Sequence, residues 1–311
     1  MPPLFTYTGF GLQIASEIES PELMPSEKNQ PDIYIRKGSI SKNLFPGDDV
    51  SRPFILFEEK EFLLNLPGIA KYRSIAGKEI IIDPYPGSDL GTVRLFLLSI
   101  TMAALLTQRQ KILLHASAII QNEKLILFIG DSGAGKSSIA AELSKRGYTL
   151  FTDDVCVLES GPEQNDQIFA FASYPMMKLW EDTIQALNNS QFDRSYKIRP
   201  ALPKFGQFFH EQFVTKAYPI QKIFVLNPVD DGPVGFGLRK LHGMEAFEKL
   251  SQNTYRRQFI RKSPLQAIHL KSMGFLISNT DIAEITRSKK IGEISSFTDF
   301  VESLIEKNDT F

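Results

Sequence analysis

Gly130-Asp131-Ser132-Gly133-Ala134-Gly135-Lys136-Ser137 stands between the apolar run Leu125-Ile126-Leu127-Phe128-Ile129 and a segment of helical character, Ser137 to Arg146. The pattern is G-x-x-x-x-G-K-[ST], a loop whose glycines let the backbone turn until several N–H groups face one polyanion. The helix behind it adds the positive end of its dipole, and Lys136 adds a point charge for the terminal phosphates. Ser137 offers a hydroxyl to Mg²⁺, with Ser138 beside it in the first turn. A strand before and a helix after is the context in which this motif binds a nucleotide.

The neighbouring segments extend the site. Lys111 to Ile120 reads as a strand, Asn122-Glu123 as a tight turn, and the next strand feeds the loop. If Gln121 pairs with Lys124, antiparallel register sets Ala116 opposite Ile129 and His115 opposite Gly130. A slip of one residue would turn that imidazole away. After the loop, Ile139, Ala140 and Leu143 form an apolar stripe, and Arg146-Gly147 reads as last turn and cap. Tyr148 to Thr152 is a strand ending at Asp153-Asp154, and the apolar Val155-Cys156-Val157-Leu158 continues it. In open α/β sheets ligands gather outside the carboxyl ends of strands, so both carboxylates are expected near the bound phosphates.

A chain of 311 residues is long for one domain, so two units are expected. Residues 1–88 read as a β-rich N-terminal domain: Asp32–Arg36, Pro53–Glu58, Glu61–Asn65 and Glu79–Asp83 are strand candidates between glycines and prolines. No catalytic motif falls there. Asp89 to Gln108 reads as an apolar helix opening the second domain, 89–311. Its uncharged run, Leu95 to Gln108, is too short for a bilayer span and predicts a buried helix. Strands are also expected at Ile223–Leu226 and Ile282–Ile285, and a short amphipathic helix at Val301–Asp309.

An apolar fraction of 42% and a charged fraction of 23% suit a soluble globule. A net charge of −1 gives no support to nucleic acid or an anionic membrane as partner. The single cysteine, Cys156, closes no internal disulfide, and Met1-Pro2-Pro3-Leu4 lacks a signal-peptide profile, so a cytoplasmic location is expected.

His115, the loop Gly130–Ser137, Arg146-Gly147 and Asp153-Asp154 resemble, in order and spacing, the catalytic domain of the HPr serine kinase/phosphorylase family. The resemblance implies an α/β fold, with a P-loop domain of the HPr-kinase C-terminal, phosphoenolpyruvate-carboxykinase-like type behind the β-rich domain. It implies ATP and Mg²⁺ as cofactors, a histidine near the transferred phosphate, and an aspartate pair that supplies a base and a metal ligand. It also allows a homo-oligomer. The family's downstream E-x-R-G-x-G signature is missing, and Tyr174-Pro175-Met176-Met177-Lys178-Leu179-Trp180-Glu181-Asp182 stands in its place. That stretch and Phe10-Gly11-Leu12 … Pro21-Glu22-Leu23 look more like the HPr-kinase-like enzymes of lasso-peptide gene clusters. Those enzymes phosphorylate the C-terminal serine of a precursor peptide, which argues against HPr itself as acceptor and against the reverse phosphorylase reaction.

Phosphoryl transfer needs positioning and charge neutralisation more than covalent help. Lys136 and the loop amides are assigned to the β- and γ-phosphates, Ser137 and Asp154 to Mg²⁺, and Asp153 to the proton of the incoming hydroxyl. The two aspartate roles are exchangeable at this stage. Lys178 and Trp180 share one face of a strand-like segment; either Lys178 neutralises phosphate, or it is a snorkelling lysine beside a core tryptophan. Lys197, in Tyr196-Lys197-Ile198-Arg199-Pro200, is a candidate phosphate contact or an ordinary exposed basic residue. Arg257, four residues before Arg261 and flanked by Arg256 and Lys262, either grips an anionic substrate group or faces solvent. His210, His242 and His269 have no metal-ligand spacing, and no G-x-S-x-G elbow is present.

The reading is an ATP-dependent serine kinase whose partner is a peptide or small protein carrying the acceptor serine, preferentially the C-terminal serine of a peptide precursor. A kinase for an HPr-like protein or free serine is the alternative among enzymes. A nucleotide-dependent regulatory protein is the alternative outside them, and the aspartate pair argues against it.

Overall fold

Short alternating stretches of the N-terminal third become, in the computed structural model, an eight-stranded sheet. Its order is Met24–Pro25, Phe5–Gly9, Leu12–Ser16, Ile33–Lys37, Glu79–Pro84, Ala70–Ile75, Glu61–Leu66, Phe54–Phe57. The structure describes residues 4–28, 30–158, 168–187, 192–199, 202–230, 235–261, 265–288 and 294–306. Pro200, Lys262 and residues 307–309, which entered the reading above, lie outside them. Alternation places Ile33, Ile35, Phe62, Leu64, Tyr72, Ile80 and Ile82 in the core of this sheet, each at most 4% exposed.

The chain divides into a first unit, Met1–Leu113 with Arg256–His269, and a second, Leu114–Tyr255 with Leu270–Phe311. The expected boundary at residue 88 therefore moves. The helix Leu90–Gln108, capped by the Asp89 carboxylate on Thr92 N at 2.6 Å, belongs to the first unit. Tyr72 OH donates to Val93 O at 3.0 Å, Arg94 Nε meets the buried Glu22 at 2.8 Å, and Gln108 Oε1 accepts from Ser74 Oγ and Gly77 N. This 19-residue helix is long and apolar enough to cross a membrane, yet 61% of its 18-residue apolar window is buried inside the protein. The segment that returns to this unit brings Phe259, stacked on Phe57 with centroids 4.6 Å apart and edge-on to Phe62 at 5.6 Å.

The second unit is built on a mixed sheet. Lys124–Ile129, Tyr218–Val229 and Asp281–Ser288 run parallel at its centre, so their carboxyl ends emerge on one edge. Ala116–Gln121 is antiparallel to Lys124–Ile129 in the expected register, Gln121 to Lys124 and Ala116 to Ile129, across a turn with Asn122 and Glu123 both at positive φ. Thr149–Thr152 is antiparallel to Ala116–Gln121, so it points the same way as the three parallel strands. Strands are longer than the expected Ile223–Leu226 and Ile282–Ile285, because the first spans twelve residues and pairs on both arms of the sheet. One face is closed by the helices Lys136–Lys145 and Ile294–Glu306: Ile139 and Leu143 from one meet Val301, Leu304 and Ile305 from the other over Phe128 and Phe224. Gly147, at φ +100°, ends the loop helix, and Tyr148 N then reaches Leu143 O at 3.2 Å.

Candidate active site

Strand direction alone assembles the site. The phosphate loop follows Ile129, the Asp153-Asp154 pair follows Thr152, Asn227-Pro228 and Arg287-Ser288 close the other parallel strands, and His115 precedes the antiparallel Ala116. All of these line one cavity of about 620 Å³. A wall opposite the loop comes from a separate hairpin, Met176–Trp180 paired with Lys204–Phe208.

Three loop glycines adopt the left-handed region, Gly130 at φ +145°, Gly133 at +84° and Gly135 at +99°. Gly130 is constrained twice, since a Cβ there would stand 2.6 Å from the backbone Leu226 O. Lys136 is buried, and its Nζ donates to Gly130 O at 2.7 Å and Asp131 O at 3.0 Å, so the ammonium already sits within the loop. Burial pushes its pKa down; Asp153, Asp154 and Asp131 oppose that, and Lys204 adds to it. The amide of Gly130 is held by Asn253 Oδ1 at 2.8 Å, and Asn253 O accepts from His115 N at 2.8 Å.

The two aspartates occupy different environments. Asp153 is 2% exposed; its Oδ1 accepts from Ser117 Oγ at 2.6 Å and Ser137 Oγ at 2.8 Å, and its Oδ2 accepts from Lys178 N at 2.9 Å. Asp154 takes φ +78°, which breaks the alternation of the strand and brings the second carboxylate to the same cavity. Its Oδ2 accepts from Lys178 Nζ at 2.6 Å, and its Oδ1 lies 3.4 Å from His115 Nε2. Burial would raise the Asp154 carboxyl, but Lys178 and His115 override it and hold the group well below the ordinary carboxylate range. Lys178, only 6% exposed, would be lowered by burial, yet Asp154 holds its ammonium well above the ordinary lysine value.

Of the two exchangeable aspartates, Asp153 is the one the Ser137 hydroxyl bonds, and Asp154 departs from the strand's alternation at φ +78°. Lys178 is a buried ion-pair partner rather than a snorkelling surface lysine. Trp180 is not a core residue; it is 43% exposed at the cavity rim, with Lys204 Nζ 5.5 Å from its ring centroid. Lys197 is exposed and bridged to Phe205, and it does not line the cavity; Arg257 belongs to the first unit. Asp131, Ser132, Ala134 and Ser138 also line the cavity.

Sequence reasoning missed Ser117, Asn253, Arg287 and Lys204. Arg287 carried a signal, since it stands just beyond an apolar strand at the ligand-bearing edge. Its guanidinium donates to Ala134 O at 3.0 Å and lies over the Phe297 ring at 5.2 Å. Ser117 carried a weaker one, a hydroxyl inside an otherwise apolar strand. Asn253 and Lys204 carried none.

No protein-family model matches the chain, and no curated protein gives a significant match. Among solved structures it is similar to the Hpr(Ser) kinase/phosphatase from Coxiella burnetii, at 13% identity and a TM-score of 0.32, over 62% of this chain and 95% of that one. The chemistry rests on the cavity's own residues.

Proposed function

We propose that the second unit is an ATP- and Mg²⁺-dependent phosphotransferase that acts on a hydroxyl acceptor, preferentially the C-terminal serine of a peptide precursor. The observation that carries this reading is the meeting, in one cavity, of the loop, the Ser137–Asp153 pair and the Asp154–Lys178–His115 cluster. The preference for a lasso-type precursor follows the resemblance of Phe10–Leu12, Pro21–Leu23 and Tyr174–Asp182.

The residues fit the cofactors. Ser137 and Asp153 place two hard oxygen donors 2.8 Å apart at the start of the loop helix, a donor set suited to Mg²⁺. When bound, the ion neutralises phosphate charge. Lys136 exchanges its two bonds to neutral carbonyls for stronger bonds to the anionic terminal phosphates. Asp154 faces the cavity as an anion and is the group that receives the acceptor hydroxyl. A bond forms between the acceptor oxygen and the γ-phosphorus, the bond to the ADP oxygen breaks, and the hydroxyl proton passes to Asp154 Oδ. Its low basicity suits a loose transition state, in which the proton leaves late and orientation dominates. Lys178 then holds the charge that Asp154 no longer matches.

The test is incubation with γ-labelled ATP and a peptide ending in serine. Wild type is expected to label the peptide and Asp154→Asn to lose labelling. Unlabelled peptide with ATP hydrolysis equal in both proteins would overturn the kinase reading in favour of a nucleotide-dependent switch.

A further inference from the structure

One face of the hairpin opposite the loop is cationic and aromatic while its other face is core. Met177 and Leu179 pack into an apolar cluster with Ile184 and Leu187, Leu179 also reaching the cavity edge, and the alternate residues Lys178 and Trp180 line the cavity. Lys204 is the direct cross-strand partner of Trp180, which sets both side chains on that same face. Lys178 is consumed by Asp154 at 2.6 Å. Lys204 is different: among the described residues its ammonium meets the Trp180 ring, and no carboxylate lies within ion-pair distance of it. Asp182, the carboxylate on the same rim, begins the next helix and makes no such pair with it.

Lys136 and Lys204 line the same cavity; the Lys136 ammonium is disfavoured by burial, supported by Asp153, Asp154 and Asp131, and disfavoured again, more weakly, by Lys204. The phosphates of a nucleotide have the loop amides and Lys136. A further anion on the Trp180 side needs carbon skeleton to cover an indole that is 43% exposed. A phosphate offers none, and a peptide terminus does.

We infer that Lys204 and Trp180 form the acceptor subsite, with Lys204 gripping the α-carboxylate of a C-terminal serine while Trp180 covers the chain before it. The inference rests on the kinase reading and adds the residues that would make the acceptor C-terminal. A carboxylate and a hydroxyl on one residue would then engage Lys204 and Asp154 together, which selects a terminal over an internal serine.

Trp180 is the protein's single tryptophan, so its fluorescence reports occupancy without turnover. The experiment titrates Ala-Ala-Ser, as free acid and as C-terminal amide, into the protein saturated with a non-hydrolysable ATP analogue, and measures phosphorylation of both with ATP. The free acid is expected to shift the emission and to be phosphorylated. The amide, or the free acid with Lys204→Gln, should bind roughly ten- to a hundredfold more weakly, with ATP affinity unchanged and Lys204→Arg restoring most of the loss. Equal use of acid and amide, or a Lys204→Gln defect in ATP affinity instead of peptide affinity, would overturn the subsite and leave the kinase standing. Emission shifts with no phosphorylation of either peptide would overturn the kinase reading and leave the carboxylate site. Neither shift nor phosphorylation would overturn both.

Discussion

The two walls of the cavity hold charge in opposite ways. On the loop wall, backbone groups do most of the work: glycines at positive φ turn amides inward, and Lys136 rests on the loop's own carbonyls. On the hairpin wall, charge rides on side chains. Lys178 is neutralised by Asp154, and Lys204 is left against an aromatic ring. The first arrangement suits a ligand whose chemistry never varies, a polyphosphate. The second suits a ligand that must be selected, because side chains change without rebuilding the loop.

Substitutions on each wall should therefore fail differently. Lys136→Ala removes the loop's only cation and should weaken ATP binding by roughly a hundredfold in calorimetry, with the far-ultraviolet spectrum unchanged. Lys178→Met should instead act on stability, by about 2 kcal/mol in urea melts at pH 7, because Asp154 is left partly buried without its partner. The pH dependence has a definite sign. The lowered carboxyl of Asp154 contributes stability above the ordinary aspartate value of about 3.9, lost only as pH falls through its lower folded value. The raised Lys178 ammonium contributes below the ordinary lysine value of about 10.4, lost as pH rises through its higher folded value. The pair's contribution is accordingly flat from about pH 5 to 9.

Back on the loop wall, Gly135→Ala places a Cβ on backbone held at φ +99° and should cost about 1–2 kcal/mol, read as a lowered melting temperature together with weaker ATP binding. Arg146→Ala works behind both walls: it cuts the links to Asp299 at 2.6 Å and Glu302 at 2.8 Å that tie the loop helix to the C-terminal helix. Partly exposed pairs are worth little, so a loss of about 1 kcal/mol with transfer kinetics intact is expected. The smallest effect concerns Cys156, whose thiol burial pushes up to about 12; it should resist a thiol reagent at pH 8 until the protein unfolds.

The same contrast explains what the sequence disclosed. The loop, the hairpin register that brings His115 to Gly130 and the Asp pair were legible, because each depends on short spacings and on strand direction. Lys204 and Asn253 reach the site through a pairing and a helix end far away in the chain, and no local pattern marks them; Ser117 showed only as a hydroxyl in an apolar strand. The division of roles between Asp153 and Asp154 was hidden for another reason. It depends on one left-handed residue, φ +78° at Asp154, and aspartate adopts that conformation without advertising it. The helix Leu90–Gln108 was legible as an element but not in its allegiance, because its apolar faces fit either unit until Tyr72, Glu22 and Gln108 declare their partners.

That division between adjacent carboxylates can be measured in one pair of variants, by Mg²⁺-dependent ATP binding and single-turnover transfer to a serine-terminated peptide. Asp153→Asn should lose the Mg²⁺ dependence of binding, whereas Asp154→Asn should bind Mg²⁺·ATP as wild type does and transfer nothing. Wild-type Mg²⁺ dependence in Asp153→Asn, with transfer surviving in Asp154→Asn, would contradict it.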